Sequence, residues 1–245
     1  MPDLHYTEPR LAALYDMDSG WSEDRAYYLA LAGQQSIRIL DLGCGTGLLA
    51  AAYAARGHRV TGVDPARAML DLARNRPGGG AVDWVEASAG AYRSDRQFDL
   101  IVMTGNAFQV FLTEAEVQQV LITMRLHLAP DGRVVFETRN PALDWAARWD
   151  WSAELVTGGQ TVRMVRRVLA RSGKVVRFET RYTAEDWQLT SESRLLFLSA
   201  AEIAALAGRA GLRVAALLGD WQGQMLDPER SEEMVFVLQA ATAEG

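Results

Sequence analysis

The sequence predicts an α/β fold: a mainly parallel sheet with helical connections, preceded by a helical cap and interrupted by an antiparallel β insertion. Three observations carry that expectation. Between residues 37 and 140, short β-branched or apolar segments alternate with segments of helical length, which requires crossover connections and parallel pairing. The run Ile37-Arg38-Ile39-Leu40-Asp41-Leu42 enters a loop in which every second residue is glycine (Gly43, Gly45, Gly47), and a helical segment follows at once. Beyond Asn140-Pro141 the period changes to apolar–polar alternation, as in Val162-Arg163-Met164 and Val176-Arg177-Phe178.

Taken in order, residues 5–33 read as helical, with a turn-like link from Asp16 to Ser22. Asp16, Asp18 and Gly20 imitate the opening of a Ca²⁺ loop. The third acidic ligand is missing, however, and Tyr27 stands where the bidentate Glu belongs, so turn and capping roles are expected. Strands are predicted at 37–42, 58–63, 83–86, 98–104 and 133–138, and helices at 48–56, 65–75 and 113–127. Thr113 and Glu116 form a capping box. Pro65 suits a first helical turn, where its missing donor costs nothing. Gly78-Gly79-Gly80 is a loop. Residues 149–198 predict a meander of three or four antiparallel strands, broken at Gly158-Gly159, Ser172-Gly173 and Glu185-Asp186. A second capping box, Ser199 to Glu202, opens a helix over 203–210 that Gly211 ends. Strands at 212–218 and 234–238 close the chain. One domain over 1–245 is expected, with a cap (1–36), a cofactor-binding core (37–140), a β insertion or lid (141–198) and a C-terminal part of the core (199–245).

Composition narrows the functional classes. With 49% hydrophobic residues among 245, the chain can bury a sizeable core. No apolar run approaches the roughly 20 residues that span a bilayer, and Met1-Pro2-Asp3-Leu4-His5 lacks signal-peptide character. A single cysteine, Cys44, fits a reducing compartment, so a cytoplasmic protein is expected. Three scattered histidines (His5, His58, His127) offer no structural zinc cluster. A net charge of −6 argues against a general nucleic-acid binder.

The glycine loop names its ligand in part. Glycines let a ligand approach the main chain, and the helix beyond aims unpaired N–H groups at it. Asp64, ending Val60-Thr61-Gly62-Val63-Asp64, supplies a carboxylate that can accept from both ribose hydroxyls. Dinucleotide folds use G-x-G-x-x-G, whereas Gly43, Gly45 and Gly47 give G-x-G-x-G. Spacing alone leaves NAD and S-adenosylmethionine both open.

Asp41-Leu42-Gly43-Cys44-Gly45-Thr46-Gly47 and Gly62-Val63-Asp64 resemble the first two motifs of class I S-adenosylmethionine-dependent methyltransferases. The resemblance continues through Phe98-Asp99-Leu100-Ile101-Val102-Met103-Thr104-Gly105-Asn106 and Leu128-Ala129-Pro130-Asp131-Gly132-Arg133, covering about residues 37–140. It implies a Rossmann-like, doubly wound, seven-stranded sheet, mostly parallel with its last strand antiparallel. It also implies S-adenosyl-L-methionine as cofactor, a small-molecule acceptor, and a site that includes Asp41, Gly43, Gly45, Gly47, Asp64 and Pro65. By the same resemblance, Met69 packs on the adenine, Thr104 and Gly105 hold the methionine side, and Tyr15 covers the cofactor. Where many members have Asp, Glu86-Ala87-Ser88-Ala89 has Ser88, so Ser88, Ala89 or main chain would hold the adenine amine.

A sulfonium makes its methyl group electrophilic, so placement supplies most of the catalysis. None of the histidines lies in a loop after a strand; His58 and His127 read as solvated rather than catalytic. That favours an amine, carboxylate or acidic hydroxyl acceptor, with Glu137 as a candidate base. Acceptor candidates are Asn106 and Gln109 beside Phe108, Arg139 as a bidentate anion binder, Trp221, and Tyr28 from the cap. The plainer roles are capping for the amides, a surface ion pair for Arg139 and packing for the aromatics. The insertion carries Arg163, Arg166, Arg167, Arg171, Lys174, Arg177 and Arg181 against Glu179. This excess would steer an anionic acceptor; a solvated outer face is the plainer account. Rival functions are a nicotinamide oxidoreductase, an RNA methyltransferase and a non-catalytic S-adenosylmethionine-binding regulator.

Overall fold

The computed structural model describes residues 2–18, 20–157 and 159–241. Ser19 and Gly158, which the sequence places in turns, lie outside the described residues. Three helices open the chain: α1 (Leu4–Thr7), α2 (Pro9–Asp18) and α3 (Glu23–Leu31). The core follows as β1 (Arg38–Leu42), α4 (Leu48–Ala55), β2 (Arg59–Asp64), α5 (Arg67–Asn75), β3 (Asp83–Glu86), β4 (Phe98–Met103), α6 (Glu114–His127) and β5 (Leu128–Arg139). After α7 (Trp145–Arg148) come β6 (Trp151–Thr157), β7 (Gln160–Ser172), β8 (Val175–Thr183) and β9 (Gln188–Leu196). The chain then returns through α8 (Ala200–Arg209), β10 (Leu212–Leu218) and β11 (Glu233–Ala240).

Seven strands form one sheet in the order β10-β11-β5-β4-β1-β2-β3. Pairing is parallel except at β11, which runs antiparallel to both β5 and β10. This is the Rossmann-like, doubly wound arrangement that the sequence predicts. The strand order reverses between β1 and β4, and ligands bind beyond the carboxyl ends of strands at such a switch point. Both faces of the sheet are covered, which is why its strands read as apolar runs. Leu40, Leu42, Ile101, Val134 and Phe136 pack with α6 and α8 through Val117, Leu121, Ile203 and Leu206. Ile39, Val60, Leu100 and Val135 pack with α3 and α4 through Tyr28, Leu29, Leu49 and Tyr53. Both capping boxes form, at Thr113 with Glu116 and at Ser199 with Glu202. Gly211, at φ 76°, ends α8 as expected.

Two local expectations are corrected. Pro65 is not in the first turn of a helix: the Asp64 carboxylate captures the Ala66 N–H at 2.8 Å, an Asx turn that delays α5 to Arg67. Asp16 is not in a turn either. Helix α2 runs on to Asp18, and the Asp16 carboxylate accepts from Thr46 and from Arg76.

The insertion is a separate four-stranded antiparallel sheet, β6-β7-β8-β9. Its inner face buries Val162, Met164 and Tyr182 against Leu11 and Leu14 of α2. Further along, the same face buries Val176 and Phe178 against Trp149. The His5 N–H donates to Ser191 Oγ at 2.9 Å, joining α1 to this inner face. Cap and insertion thus pack together beside the carboxyl ends of the core strands. No helix among the described residues is long and apolar enough to cross a membrane.

One aromatic fixes the spacing beneath the glycine loop. A Cβ added at Gly62 would lie 2.5 Å from Trp84 Cζ3, and one at Gly47 would lie 2.3 Å from Trp84 Cη2. The indole has little freedom to retreat, because its N–H donates to Gly79 O at 2.8 Å. Gly62→Ala is expected to cost about 1–3 kcal/mol through this overpacking. Urea denaturation midpoints would measure it, and an unchanged midpoint would contradict the packing account.

Candidate active site

The glycine loop is held by the end of β2. The N–H groups of Gly43 and Cys44 both donate to Val63 O, at 2.7 and 3.1 Å. That of Gly45 donates to Asp64 Oδ2 at 2.9 Å. Gly43 and Gly45 sit at φ 73° and 55°, the left-handed region that this path requires. Asp64 is buried, and burial raises its carboxyl above the usual carboxylate range. Beside it Asp41 is 1% exposed, and its Oδ1 has no hydrogen-bond partner among the described residues. Burial, with Asp64 nearby, pushes Asp41 up to about 7. A buried carboxylate with a spare oxygen suits a bound cation or donor.

Tyr15 bridges this loop and the one after β4. A Cβ on Gly105 would meet Tyr15 Oη at 3.5 Å, and one on Gly45 would meet its ring at 4.0 Å. Asp16, the next residue of α2, anchors the cap to Thr46 of the glycine loop and to Arg76, which also donates to Thr46 O at 2.6 Å. Met69 is buried with Ala12 and Ala66, flanked by Tyr6 and Tyr15. Ala89 is buried in the main core, whereas Ser88 and Pro65 are exposed. Thr104 O accepts from Ala107 N–H at 3.4 Å, closing the turn that carries Gly105. Of the residues the sequence assigns to the cofactor, Tyr15, Asp41, Gly43, Gly45, Asp64 and Gly105 therefore converge most tightly.

A cleft of about 480 Å³ opens beside Gly105. Tyr15, Asp24, Arg25, Asn106, Glu137, Arg139, Trp221 and Glu233 line it. Glu137 accepts from Tyr28 Oη on one oxygen and from Asn106 N–H, at 2.7 Å, on the other. Burial pushes Glu137 up to about 7 despite these two donors, and burial also raises Glu233. Asn106 Oδ1 and Glu233 Oε2 are buried without hydrogen-bond partners among the described residues. Asn106 adopts φ 57°, which aims its N–H at Glu137.

Several acceptor candidates take roles that differ from the expected ones. Tyr28 is 0% exposed and lies behind the cleft wall, against Glu137 and Trp221; Tyr53 Oη in turn donates to Tyr28 O at 2.7 Å. Gln109 is 1% exposed and works as a strut: its amide donates to Leu196 O at 3.2 Å and accepts from Arg139 at 3.0 Å. Arg139 is no surface ion pair. Its guanidinium lies over Trp145 and Trp149, 5.5 and 5.1 Å from the ring centroids, and burial lowers its pKa. Trp221 packs on Tyr27 and Tyr28 at the cleft wall.

The histidines are not solvated. His127 is buried, with Nδ1 against Thr123 O at 2.8 Å and Nε2 accepting from Ser94 N–H at 3.0 Å. His58 is 5% exposed. His5 lies inside the cap, its Nδ1 2.6 Å from Tyr182 Oη, and burial with Arg166 nearby lowers it to about 4. The basic residues of the insertion do not form one surface. Arg166 points inward over Trp151 and Phe178, while Arg177 and Arg181 lie outward near Glu192 and Glu179. Glu233 and the Asp16–Arg76 anchor escaped sequence reasoning. Both depend on register and docking between distant segments, which no local signal encodes.

Residues 39–132 match a family model described as a methyltransferase domain. Over 210 residues, 82% of each chain, the sequence is 31% identical to a cypemycin N-terminal methyltransferase from Streptomyces sp. The chain is a class I S-adenosylmethionine-dependent methyltransferase. Its methyl donor is S-adenosyl-L-methionine. The methyltransferase is also 28% identical to a ubiquinone biosynthesis O-methyltransferase from Rickettsia felis, over 106 residues and 42% of each chain. Among solved structures it is similar to CalS10 from Micromonospora echinaspora, described as an amino pentose methyltransferase. The TM-score there is 0.73 at 26% identity, covering 96% of this chain and 98% of that one.

The acids in the cleft give the methyltransferase a stability signature. Glu137 has a folded pKa of about 7 against an ordinary value of 4.5, so the unfolded chain releases that proton first. The folded state is therefore favoured below pH 4.5, and that advantage is lost as pH rises towards 7. Glu137→Gln, neutral throughout, is expected to melt above the wild type at pH 8 and close to it at pH 4. Thermal melts at the two values would show it; equal melting at both would remove the burial argument.

Proposed function

We propose that this methyltransferase transfers the methyl group to an amine of a small-molecule acceptor held in the cleft between the cap, the β4 loop and the end of β5. The observation that carries the reading is the pair of buried, unpartnered acceptor atoms, Asn106 Oδ1 and Glu233 Oε2, in one cleft with Glu137. A ligand that satisfies them must bring hydrogen-bond donors, and an amine or ammonium group brings several. Two relatives agree in kind: one is named for an N-terminus and the other for an amino pentose, both amine-bearing. The match to cypemycin N-terminal methyltransferase spans 210 residues, so it extends beyond the core, whereas the O-methyltransferase matches less than half of either chain.

In this proposal Asp41 accepts from the ammonium of the donor, and Gly43, Gly45 and Gly47 form the cradle for its methionine end. Thr104 and Gly105 hold that end from the β4 side. Asp64 takes the ribose hydroxyls, Met69 and Pro65 flank the adenine, Ser88 or Ala89 meets its edge, and Tyr15 covers the whole. When bound, the donor supplies an electrophilic methyl on a sulfonium. The protein's own residues place the acceptor and manage its proton. An amine enters mostly as ammonium and must lose one proton before it can attack. Glu137 has an affinity suited to taking that proton near neutral pH. Tyr28 and the Asn106 N–H fix the direction of its carboxylate. Arg139 and Trp221 form the wall that orients the rest of the acceptor.

With methyl-labelled donor and a panel of amino sugars, free amino acids and short peptides, mass spectrometry is expected to locate the label on nitrogen. Label found only on oxygen or carbon would overturn the proposal. Glu137→Gln should lower kcat/KM by about 10²–10⁴-fold. The acid limb of the wild-type pH profile should lie near pH 7, and Tyr28→Phe should move it upward, because the lost hydrogen bond had favoured the carboxylate. Asp64→Ala should weaken S-adenosylhomocysteine binding in calorimetry by about tenfold or more. Unchanged affinity would remove Asp64 from the donor site.

A further inference from the structure

The opposite end of the sheet holds a second cavity, about 570 Å³, at the amino ends of β1, β2 and β3. Its origin is topological. The connection between β3 and β4, residues 87–97, contains turns and no helix. This connection between two parallel strands of the sheet therefore crosses it without the helix that such crossovers usually carry. Arg38 and Arg59 stand side by side in register on β1 and β2, and Asp83 follows beside Thr61 on β3.

The side chains around this cavity are mostly donors and cations. Arg38 is engaged by Asp99, with its N–H at 2.8 Å and its guanidinium at 3.4 Å. Arg96 pairs with Asp83 at 2.5 Å. Arg59 makes no salt bridge among the described residues, although it is the cross-strand neighbour of Arg38. Like charges on adjacent positions of paired strands repel unless an anion lies between them. His58 adds a neutral donor. Its Nδ1 accepts from Ile37 N–H at 3.4 Å, so the ring proton sits on Nε2, which is buried without a partner. Phe98, Val60 and Ala81 supply an apolar floor, and Thr61 a hydroxyl.

We propose that this cavity is a binding site for a small molecule carrying phosphate groups, separate from the catalytic cleft. Arg59 has no carboxylate partner among the described residues, and the guanidinium groups of Arg38 and Arg96, each held by one Asp, keep further N–H groups beside it; with the His58 N–H these are donors of the kind that phosphate oxygens require. The volume falls within the ~300–1,000 Å³ usual for small-ligand pockets. The site lies beyond the amino ends of the strands that carry the glycine loop at their carboxyl ends, so it shares no residue with the methyl-transfer machinery. It also stands independently of the amine acceptor proposed above.

Calorimetry on the full chain, saturated with S-adenosylhomocysteine, tests the site with inorganic pyrophosphate as probe. Saturable binding with Kd below about 1 mM is expected. Arg59→Glu and Arg96→Glu should each weaken it by about tenfold or more, with Arg59→Lys falling between wild type and Arg59→Glu because it keeps the charge and loses the fork. Thermal melts of the variants, expected to match the wild type, separate lost binding from lost folding. Uridine diphosphate is the second probe. Tighter binding than pyrophosphate assigns the apolar floor to a nucleoside, and equal binding assigns the site to phosphate groups alone. No saturable binding overturns the proposal. So does binding that survives Arg59→Glu but is lost in Arg139→Gln, since the anion would then occupy the acceptor cleft.

Discussion

The functional end of this methyltransferase is organised around the tie between the glycine loop and the last two residues of β2. Val63 O takes two N–H groups of the loop, and the Asp64 carboxylate takes a third from Gly45 and a fourth from Ala66. Four main-chain donors that would otherwise need water are satisfied by one short segment. That arrangement sets the path of the loop, delays the start of α5, and leaves Asp41 buried with an open oxygen. The cap then docks on the result, with Tyr15 over the glycines and Asp16 bonded to Thr46.

The same end of the sheet concentrates buried acids whose charge the fold does not fully neutralise. Asp41 and Glu137 are both pushed to about 7 by burial. Such groups oppose stability at neutral pH and persist where function needs them. Elsewhere, His58 Nε2 apart, the polar groups named above are matched: both capping boxes close, His127 uses both ring nitrogens, and the Gln109 amide is engaged at both ends. Incomplete satisfaction is concentrated where a ligand is expected.

What could be read in advance was local in origin. The glycine spacing, the capping boxes and the change of period at Asn140-Pro141 each depend on residues a few positions apart, and each forms as expected. The failures involve contacts across long separations. Pro65 satisfied the rule for a first helical turn, but the hydrogen bond that Ala66 N–H donates to the Asp64 carboxylate displaced the helix. His58, at a helix-to-strand turn, and His127, at the end of a helix, are nevertheless buried, because Ile37 N–H meets the one and the Tyr92 ring and Ser94 N–H of a distant loop meet the other. Glu233 reached the cleft through the register of β11 on β5, where it pairs with Arg139. Arg166 and Arg177 were separable in principle, since alternation along paired strands assigns them to opposite faces once the hairpin register is known.

Tyr53 has a further consequence. It belongs to α4, the helix that springs from the glycine loop, and its hydroxyl holds the main chain of Tyr28, whose own hydroxyl holds Glu137. The helix after the glycine loop and the carboxylate of Glu137, the proposed donor cradle and proton acceptor, are thus rungs of one buried ladder, and neither can be respaced without disturbing the other. Divergence towards new acceptors would then be channelled into the walls, the cap and the inserted sheet, while the spacing between the glycine loop and Glu137 is inherited unchanged.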